Sequence, residues 1–181
     1  KIKASLNVKK YWLLIGVPPC QAYSVVGRSR RQEKILDEKK DERVGLYKQY
    51  LRILAVHSPS VFVMENVKGL LSAKTLNSPM FNKILSDLSD PVSAYVSENG
   101  RNCNNLHCPG YKIFSLVASP INLNENGTPN FKHKDFVIKS EKFGIPQTRH
   151  RVILLGIRQD LNHKPDILTP KDEVTVSDVF T

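Results

Sequence analysis

The chain has few cysteines and no long apolar run. Its 181 residues include three cysteines, an odd number that argues against a disulfide framework. Without a secretory signal sequence, this count predicts a reducing, cytoplasmic compartment. No apolar stretch approaches the roughly 18 residues that a membrane-spanning helix needs, so we expect no membrane partner. Internal repeats and low-complexity segments are also absent from the sequence, and a chain of this length can form one domain with a full core.

Acidic residues are scarce relative to basic ones. Lys and Arg number 27 against 17 Asp and Glu, which gives a formal net charge of +10. Phosphate contacts dominate the nonspecific affinity of proteins for nucleic acids, so this excess favours a polyanionic partner. A basic balance also occurs in many proteins that never meet DNA, and charge alone therefore does not identify the partner.

Two of the three cysteines lie close to a histidine. Cys103, His107 and Cys108 are spaced too tightly for the paired Cys-x-x-Cys ligands of most structural zinc sites. A fourth ligand is not evident in the sequence. We therefore predict no metal site.

The third cysteine belongs to a motif that follows the apolar run of residues 11–15. This motif reads Gly-Val-Pro-Pro-Cys and ends at Cys20. Prolines fix φ and remove backbone donors, so neither a helix nor a central strand continues through them. Cys20 is therefore expected on a stiff turn after a strand, where α/β sheets commonly place their chemistry. A lone cysteine is more often a small buried hydrophobe, so this motif alone is only a hint.

Two further apolar runs also border polar clusters. The second run ends at Glu65 and Asn66, which are followed by valine. The third follows a Gly-Ile-Pro-Gln sequence and begins within Gln-x-Arg-x-Arg, where Arg149 and Arg151 alternate. Alternate residues of an extended segment point to the same side, so both guanidinium groups can face one pocket.

In this order and spacing, the three motifs resemble those of the cytosine C5 DNA methyltransferase family, from about residue 11 to about residue 158. The family combines a Pro-Cys motif, a Glu-Asn-Val motif and a Gln-x-Arg-x-Arg motif. The resemblance implies an α/β fold, the second half of a Rossmann-like S-adenosylmethionine-dependent methyltransferase sheet with flanking helices. It also implies an enzyme of bacterial restriction–modification type, with double-stranded DNA as substrate and S-adenosylmethionine as cofactor.

The resemblance gives a role to each polar residue of the motifs. Cys20 is the nucleophile, whose thiolate adds to carbon 6 of cytosine and so activates carbon 5 for methylation. Glu65 holds the ring nitrogen N3 and the exocyclic amine. A carboxyl group donates a hydrogen bond only when protonated, so this role requires that Glu65 retain or share a proton. Arg151 contacts the base oxygen O2, Arg149 lies close to the same pocket, and Asn66 supports the Pro-Cys loop.

Further contacts are expected on both sides of the nucleophile. Pro18 and Pro19 are the expected cofactor contacts. Gln21, Ser24 and Arg28 are candidates to touch the target strand, on a loop that closes over DNA in the family. A stacked base hides carbon 6, so the target cytosine is expected to flip out of the duplex. The basic run Gly27-Arg28-Ser29-Arg30-Arg31 follows Cys20 by a few residues, and the alternative for Arg30 and Arg31 is a solvated basic loop.

Several features of the family do not occur in this chain. No Phe-x-Gly-x-Gly loop for S-adenosylmethionine, and no acidic residue for its ribose, precedes Tyr11. The C-terminal motifs that complete the cofactor pocket are also missing. Val17 stands where the family usually has glycine, and a β-branched residue there would resist a positive φ. We expect an excised segment or one half of a split enzyme, which needs the remaining N-terminal and C-terminal parts and is inactive alone.

Two other functions remain open at this point. Relatives with the same three motifs methylate transfer RNA, and the recognition region that would decide the substrate is not part of the sequence. A noncatalytic DNA-binding or partner-docking subunit of a split methyltransferase is the second alternative. A decayed site has no reason to retain Cys20, Glu65, Arg149 and Arg151 together, which argues against that subunit.

Apolar periodicity predicts the order of the secondary structure. Strands are predicted at residues 11–16, 61–65, 111–118, 135–139 and 151–157, and helices at about 43–57 and from Ser78-Pro79 onward.

Two segments interrupt this pattern. Residues 89–110 and 120–132 are rich in Asn, Ser, Gly and Pro, and we expect irregular surface insertions there. Residues 1–158 are assigned to a partial catalytic domain that carries these insertions. Residues 159–181 are assigned to the start of a linker toward the target recognition region.

Overall fold

A computed structural model of the chain describes residues 2–6, 11–18, 47–74, 79–99 and 106–180. Its helices and strands are, in chain order, α1 (Ile2–Leu6), β1 (Leu13–Gly16), α2 (Tyr47–His57), β2 (Val61–Val67), α3 (Met80–Ser89), α4 (Pro91–Asn99), β3 (Tyr111–Phe114), β4 (Asn122–Leu123), β5 (Pro129–Asn130), β6 (Val137–Lys139) and β7 (His150–Arg158). Within these described residues, no helix has the length and apolar character that crossing a bilayer requires.

The main sheet has the strand order β1-β2-β7-β3, and β6 also pairs with β7. β1 and β2 are parallel, with Gly16 opposite Met64. β7 runs antiparallel to β2, β3 and β6. The carboxyl ends of β1 and β2 and the amino end of β7 therefore meet at one edge of the sheet, which we call the motif edge.

The central strand β2 alternates strictly between two environments. Phe62, Met64 and Asn66 are buried, whereas the residues between them are partly exposed. Such alternation is expected for a strand with one face on the core. It places Glu65 on the accessible face, opposite the side chains that hold the strand in the core.

The core lies between this buried face and helices α2 and α3. The buried helical residues recur at three- and four-residue intervals, as expected for amphipathic helices; they are Tyr47, Tyr50, Leu51, Leu54, Ala55, Met80, Phe81, Ile84 and Leu88. The Phe62 ring packs edge to face against Tyr50 and Tyr111, with centroid distances of 5.9 and 5.0 Å. Gly156 leaves room for that ring, because a Cβ there would lie 2.6 Å from Phe62 Cδ1.

The predicted elements are confirmed in order but differ in length. β1 begins two residues later than predicted, β3 ends at Phe114 rather than at residue 118, and β2 and β7 extend further than predicted. The predicted strand at 135–139 is a 3-10 turn, His133–Phe136, followed by β6. Residues 43–46 and Ser78, predicted at the starts of α2 and α3, lie outside the described residues.

The prediction of an irregular segment at 89–110 was wrong for residues 91–99, which form helix α4. The helix begins at Pro91, a residue preorganised for the first helical position. The carboxylate of Asp90 accepts a hydrogen bond from the Ser93 N–H at 3.0 Å, as an N-cap does. Composition alone did not predict this helix, because its Ser and Asn residues also favour loops.

The second predicted insertion contains the β4–β5 hairpin. Its turn includes Gly127, which has a φ of 72° and donates to the carbonyl of Asn124 at 2.8 Å. A positive φ explains why glycine occupies this position.

Candidate active site

The Glu-Asn-Val and Gln-x-Arg-x-Arg motifs meet at the motif edge, together with the first residues of the Pro-Cys motif. β1 ends at Gly16 and leads through Val17 to the buried Pro18. β2 ends in the Glu-Asn-Val sequence, and β7 begins within the Gln-x-Arg-x-Arg sequence. Of the predicted site residues, Pro19, Cys20, Gln21, Ser24 and Arg28 lie outside the described residues.

Glu65 and Arg151 form an ion pair across the β2–β7 ladder. The distance from Arg151 Nε to Glu65 Oε1 is 2.7 Å, and each side chain is 25% exposed. Glu65 lies opposite Ile153 in the register, and Arg151 lies opposite Val67. The two are thus diagonal neighbours on the same face of the sheet, which long side chains can bridge.

The guanidinium of Arg151 is also held by its own strand. Its Nη1 donates to the carbonyl of His150 at 2.9 Å. A guanidinium has five N–H donors, so three remain beyond the contacts with Glu65 and this carbonyl. Glu65 likewise keeps Oε2 outside the 2.7 Å contact. The pair therefore presents both donors and an acceptor at a partly exposed edge.

Asn66 directly follows Glu65 in β2, but its side chain points to the buried face of the sheet. Its side chain is 2% exposed, and its Oδ1 accepts the Val67 N–H at 2.8 Å. This bond fixes the end of β2. The proposed support of the Pro-Cys loop by Asn66 stays a prediction, because the loop beyond Pro18 lies outside the described residues.

Arg149 precedes β7 and has an exposed side chain. Its main-chain carbonyl accepts hydrogen bonds from Ser140 N and Ser140 Oγ, at 3.2 and 2.7 Å. The main chain at Arg149 is therefore anchored to the segment before the Gly-Ile-Pro-Gln turn. The expectation that Arg149 lies near the same pocket as Arg151 stays a prediction.

A second close pair of polar side chains lies beside the motif edge and was not predicted from the sequence. His150 Nε2 lies 2.8 Å from Glu141 Oε1, while Glu141 Oε2 is buried without a hydrogen-bond partner among the described residues. A backbone hydrogen bond, followed by that of His150, lowers the pKa of Glu141 below its usual value. Gly144, with a φ of 73°, makes the turn that returns the chain from Glu141 to His150. Nothing in the sequence indicates the pairing of Glu141 with His150, because both are ordinary surface residue types.

The start of the Pro-Cys motif packs against α2. The Tyr50 hydroxyl donates to the carbonyl of Val63 at 3.0 Å, and its oxygen lies 3.4 Å from the carbonyl of Leu14. Among the described residues, a positive φ outside glycine occurs only at Ser58 and Asn162. Val17 therefore needs no left-handed backbone, and the expected conflict at this departure from the family pattern does not arise.

The strand that leads to the Pro-Cys motif exposes one apolar face. Tyr11, Leu13, Ile15 and Val17 alternate along the chain and are between 51% and 67% exposed. In the described part of the chain, β1 pairs with β2 alone and so forms an edge of the sheet. A row of large exposed apolar residues on an edge strand is unusual for a surface that faces only water.

The predicted absence of a metal site concerned Cys103, His107 and Cys108. Cys103 lies outside the described residues, His107 is exposed and Cys108 is partly buried. Over the ranges that the structure describes, no group of three His, Cys, Asp or Glu side chains is placed to hold a metal ion.

The architecture belongs to the α/β class of S-adenosylmethionine-dependent methyltransferases. A family model described as C-5 cytosine-specific DNA methylase matches residues 1–91 and 121–180. The chain therefore belongs to the cytosine C5 DNA methyltransferase family. The unmatched residues 92–120 include most of the first predicted insertion, whereas most of the second lies within the match, so the division into core and insertions stays a prediction.

Two curated relatives illustrate the similarity. Type II methyltransferase M.Bpa9945I of Bacillus paralicheniformis is 34% identical over 152 residues, which are 84% of this chain and 26% of that protein. The DNA (cytosine-5-)-methyltransferase M.ApeKI of Aeropyrum pernix is 31% identical over 155 residues, 82% of this chain and 27% of that protein. The chain thus spans about a quarter of the length of these relatives.

A solved structure shares the fold. It is described as a DNA modification methyltransferase encoded within a prophage of E. coli, and it superposes with a TM-score of 0.54 at 24% identity. The match covers 98% of this chain and 36% of that chain. The arrangement of β1, β2, β3, β6 and β7 is therefore one that a much longer methyltransferase chain also contains.

Proposed function

We propose that this chain is part of a DNA cytosine C5 methyltransferase of bacterial restriction–modification type. The observation that carries the proposal is the ion pair of Glu65 and Arg151 at the edge where β1 enters the Pro-Cys motif. Cys20 follows Pro18 by two residues, and two residues span at most about 7 Å. A thiol, a carboxyl group and a guanidinium group can therefore surround one pyrimidine.

Cys20 begins the proposed reaction. Its thiolate would form a bond to carbon 6, which moves the electrons of the 5,6 double bond to carbon 5. Carbon 5 would then take the methyl group from its sulfonium donor, whose carbon–sulfur bond breaks and leaves a neutral thioether. Loss of the carbon 5 proton and release of the thiolate restore the double bond. Because a stacked base hides carbon 6, the proposal requires that the target cytosine flip into the site.

Glu65 and Arg151 would hold the base during these steps. Arg151 retains three N–H donors after its contacts with Glu65 and the His150 carbonyl, and one of them can meet the base oxygen O2. Glu65 Oε2 can accept from the exocyclic amine while Oε1 stays on Arg151, and its contact with N3 requires a proton shared between that carboxyl group and N3. The ion pair therefore orients both groups before the base arrives, which lowers the cost of ordering them.

The proposed cofactor is S-adenosylmethionine, which would supply the methyl group. The buried Pro18 at the carboxyl end of β1 fits a contact with it, because α/β sheets bind ligands beyond the carboxyl ends of their strands. Pro19, the second proposed cofactor contact, is the next residue of the same motif. Neither proline supplies a hydrogen-bond donor, so these residues can shape a cofactor pocket but cannot hold the polar groups of the cofactor.

The remainder of the cofactor pocket would come from another part of the protein. The exposed apolar face of β1 begins at Tyr11 and extends to Val17, beside the proposed cofactor contact. The relatives are about four times longer than the matched segment, so such a protein has ample chain to cover this face. We therefore propose that a cofactor-binding segment of the whole protein packs on β1, and that the 181-residue chain is inactive alone.

The test uses the whole protein and duplex DNA that carries 5-fluorocytosine in its target site. Fluorine on carbon 5 cannot leave as a proton, so the covalent adduct accumulates and is visible on a denaturing gel. The Cys20→Ser variant is expected to form no adduct, whereas a Cys108→Ser control is expected to form it normally. An adduct in the Cys20→Ser variant would mean that another residue is the nucleophile.

The choice between DNA and transfer RNA is tested separately. Methyl transfer is measured on duplex DNA and on transfer RNA with the same preparation, and we expect incorporation into DNA alone. A noncatalytic DNA-binding subunit would give no transfer to either substrate, and its salt-sensitive DNA binding would be unaffected by Cys20→Ala. The names of the curated relatives, which describe DNA methyltransferases, support the DNA substrate.

A further inference from the structure

A cavity lies beside β3, the strand at the opposite end of the sheet order from β1. It is bounded by the edge strand β3, the β4–β5 hairpin and the segment that follows β7, and its volume is about 290 Å³. We call it the β3 cavity. Its lining includes Lys112, Phe114, Asn122, Leu123, His163 and Lys164. A second cavity of about 240 Å³ adjoins it and shares Phe114 and Lys164.

The charged side chains that line the β3 cavity are all basic. Lys112 and Lys164 bring two ammonium groups and His163 an imidazole, and its lining contains no Asp or Glu. Neither ammonium has a carboxylate partner within ion-pair distance in the part of the chain that the structure describes. Asn122 adds a side-chain amide. Uncompensated cations gathered around one hollow attract an anion of more than one charge, such as a phosphate group.

Apart from Asn122 and Asn162, the rest of the lining is apolar. Phe114 supplies an aromatic ring that is shared with the second cavity, and Leu123 lies on the hairpin side. Ligand sites of about 300–1,000 Å³ combine such apolar walls with a few convergent polar groups. A ligand that joins a phosphate to a flat ring would therefore satisfy both halves of the lining.

The cavity walls are held by main-chain contacts. Lys112 lies opposite Ile157 in the β3–β7 register, and a Cβ on Gly127 would lie 3.3 Å from its Nζ, so the hairpin turn sits close to the ammonium. On the other side, the Leu168 N–H donates to the Leu116 carbonyl at 2.8 Å. The segment that carries His163 and Lys164 is thereby tied to the residues that follow β3.

This cavity is separate from the candidate active site. Ile157 lies six residues beyond Arg151 along β7, which corresponds to about 20 Å along an antiparallel strand. Lys112 and Phe114 also belong to residues 92–120, which the family model does not match. The cavity therefore combines residues outside the family match with residues inside it.

We propose that the β3 cavity binds a nucleotide phosphate, with the phosphate on Lys112, Lys164 and His163 and the base against Phe114. Two sources carry this chemistry: a free mononucleotide, or a nucleotide within a DNA strand. A DNA phosphate about 20 Å from the flipped base would lie about six base pairs away. Only this second source rests on the proposed function.

The experiment titrates the 181-residue chain with AMP, adenosine, inorganic phosphate and a 16-base-pair duplex, and measures binding by calorimetry. AMP is expected to bind and adenosine is not. Lys112→Gln and Lys164→Gln are each expected to weaken AMP binding about tenfold, because each removes one charged contact. Lys134→Gln, which changes an exposed lysine of the 3-10 turn His133–Phe136, is expected to have no effect.

The duplex distinguishes the two sources. Duplex binding that Lys112→Gln and Lys164→Gln weaken, and Lys134→Gln does not, assigns the cavity to DNA; duplex binding insensitive to all three assigns it to a free nucleotide. Amide shifts at Gly127 and Asn162 on addition of AMP to the unaltered chain are expected as well, and they need no variant. Failure of AMP, phosphate and duplex to perturb these amides in a folded chain overturns the proposal. A Cys20→Ser variant should bind AMP normally, which separates this test from that of methyl transfer.

Discussion

The ring of Tyr50 occupies the space beside the α-carbon of Gly16. A Cβ at Gly16 would lie 2.7 Å from ring carbon Cδ2 and closer still to Cε2. The same tyrosine donates to the Val63 carbonyl on β2. One side chain of α2 thus sets the position of both parallel strands just before the two motifs begin, and glycine is required at the last position of β1.

This contact predicts that Gly16→Ala destabilises the chain. Overpacking of this kind typically costs about 1–3 kcal/mol, because the ring or the backbone must shift. The free energy of unfolding is measured by urea denaturation, with Val17→Ala at the exposed neighbouring position as the control. In a Tyr50→Ala background the Gly16→Ala substitution should cost much less. An equal cost in both backgrounds would show that the Tyr50 ring is not the source of the conflict.

The ion pair of Glu65 and Arg151 is predicted to matter little for stability. Both side chains are partly exposed, and pairs of this kind contribute about 0–1 kcal/mol. Glu65→Gln and Arg151→Gln should therefore leave the unfolding midpoint almost unchanged, while each strongly reduces adduct formation with 5-fluorocytosine DNA in the whole protein. A large loss of stability without a loss of adduct would assign the pair a structural role instead.

The pair of Glu141 and His150 predicts a dependence of stability on acid pH. The lowered pKa of Glu141 stabilises the folded protein at pH values above the pKa of the unfolded chain, about 4.3. That contribution is lost as the pH falls through the lower pKa of the folded state. Glu141→Gln should therefore flatten the fall in unfolding free energy below about pH 4.3. Glu125→Gln, on the exposed hairpin turn, is the matched control and should retain the slope of the unaltered chain.

Tyr111 is predicted to contribute through its hydroxyl group as well as its ring. The hydroxyl donates to the carbonyl of Pro59 at 2.8 Å within the core, next to the ring of Phe62. Tyr111→Phe keeps the ring but leaves that buried carbonyl without this donor, which should cost about 1–3 kcal/mol. Thermal or urea unfolding measures the loss. An unchanged midpoint would mean that another donor reaches the Pro59 carbonyl.

The order of the elements was predictable because apolar runs and apolar periods are local. β2 and β7 contain short continuous apolar runs beside polar clusters, and α2 and α3 repeat their apolar residues at helical intervals, so each could be placed without a partner. Their ends were less predictable. Strand ends depend on the neighbour that pairs with them, as at β3, which stops where its pairing with β7 stops at Leu155.

Helix α4 and the pair of Glu141 and His150 were missed for different reasons. The helix has a composition that fits a loop equally well, and only its packing beside α2 and α3 selects the helical form. The pair of Glu141 and His150 depends on the turn at Gly144, which brings two residues of ordinary surface type together. No local pattern distinguishes such a pair from two solvated side chains.

The sequence by itself determined which segments are strands and helices, and which chemical groups stand at their ends, because periodicity and motif order are local properties of the chain. Only the tertiary structure decided that β7 runs antiparallel to β2 and that Arg151 therefore reaches Glu65. The physical reason is that strand direction and register follow from burying distant apolar faces against one another. This burial involves the whole core, so no single motif determines the direction or the register of a strand.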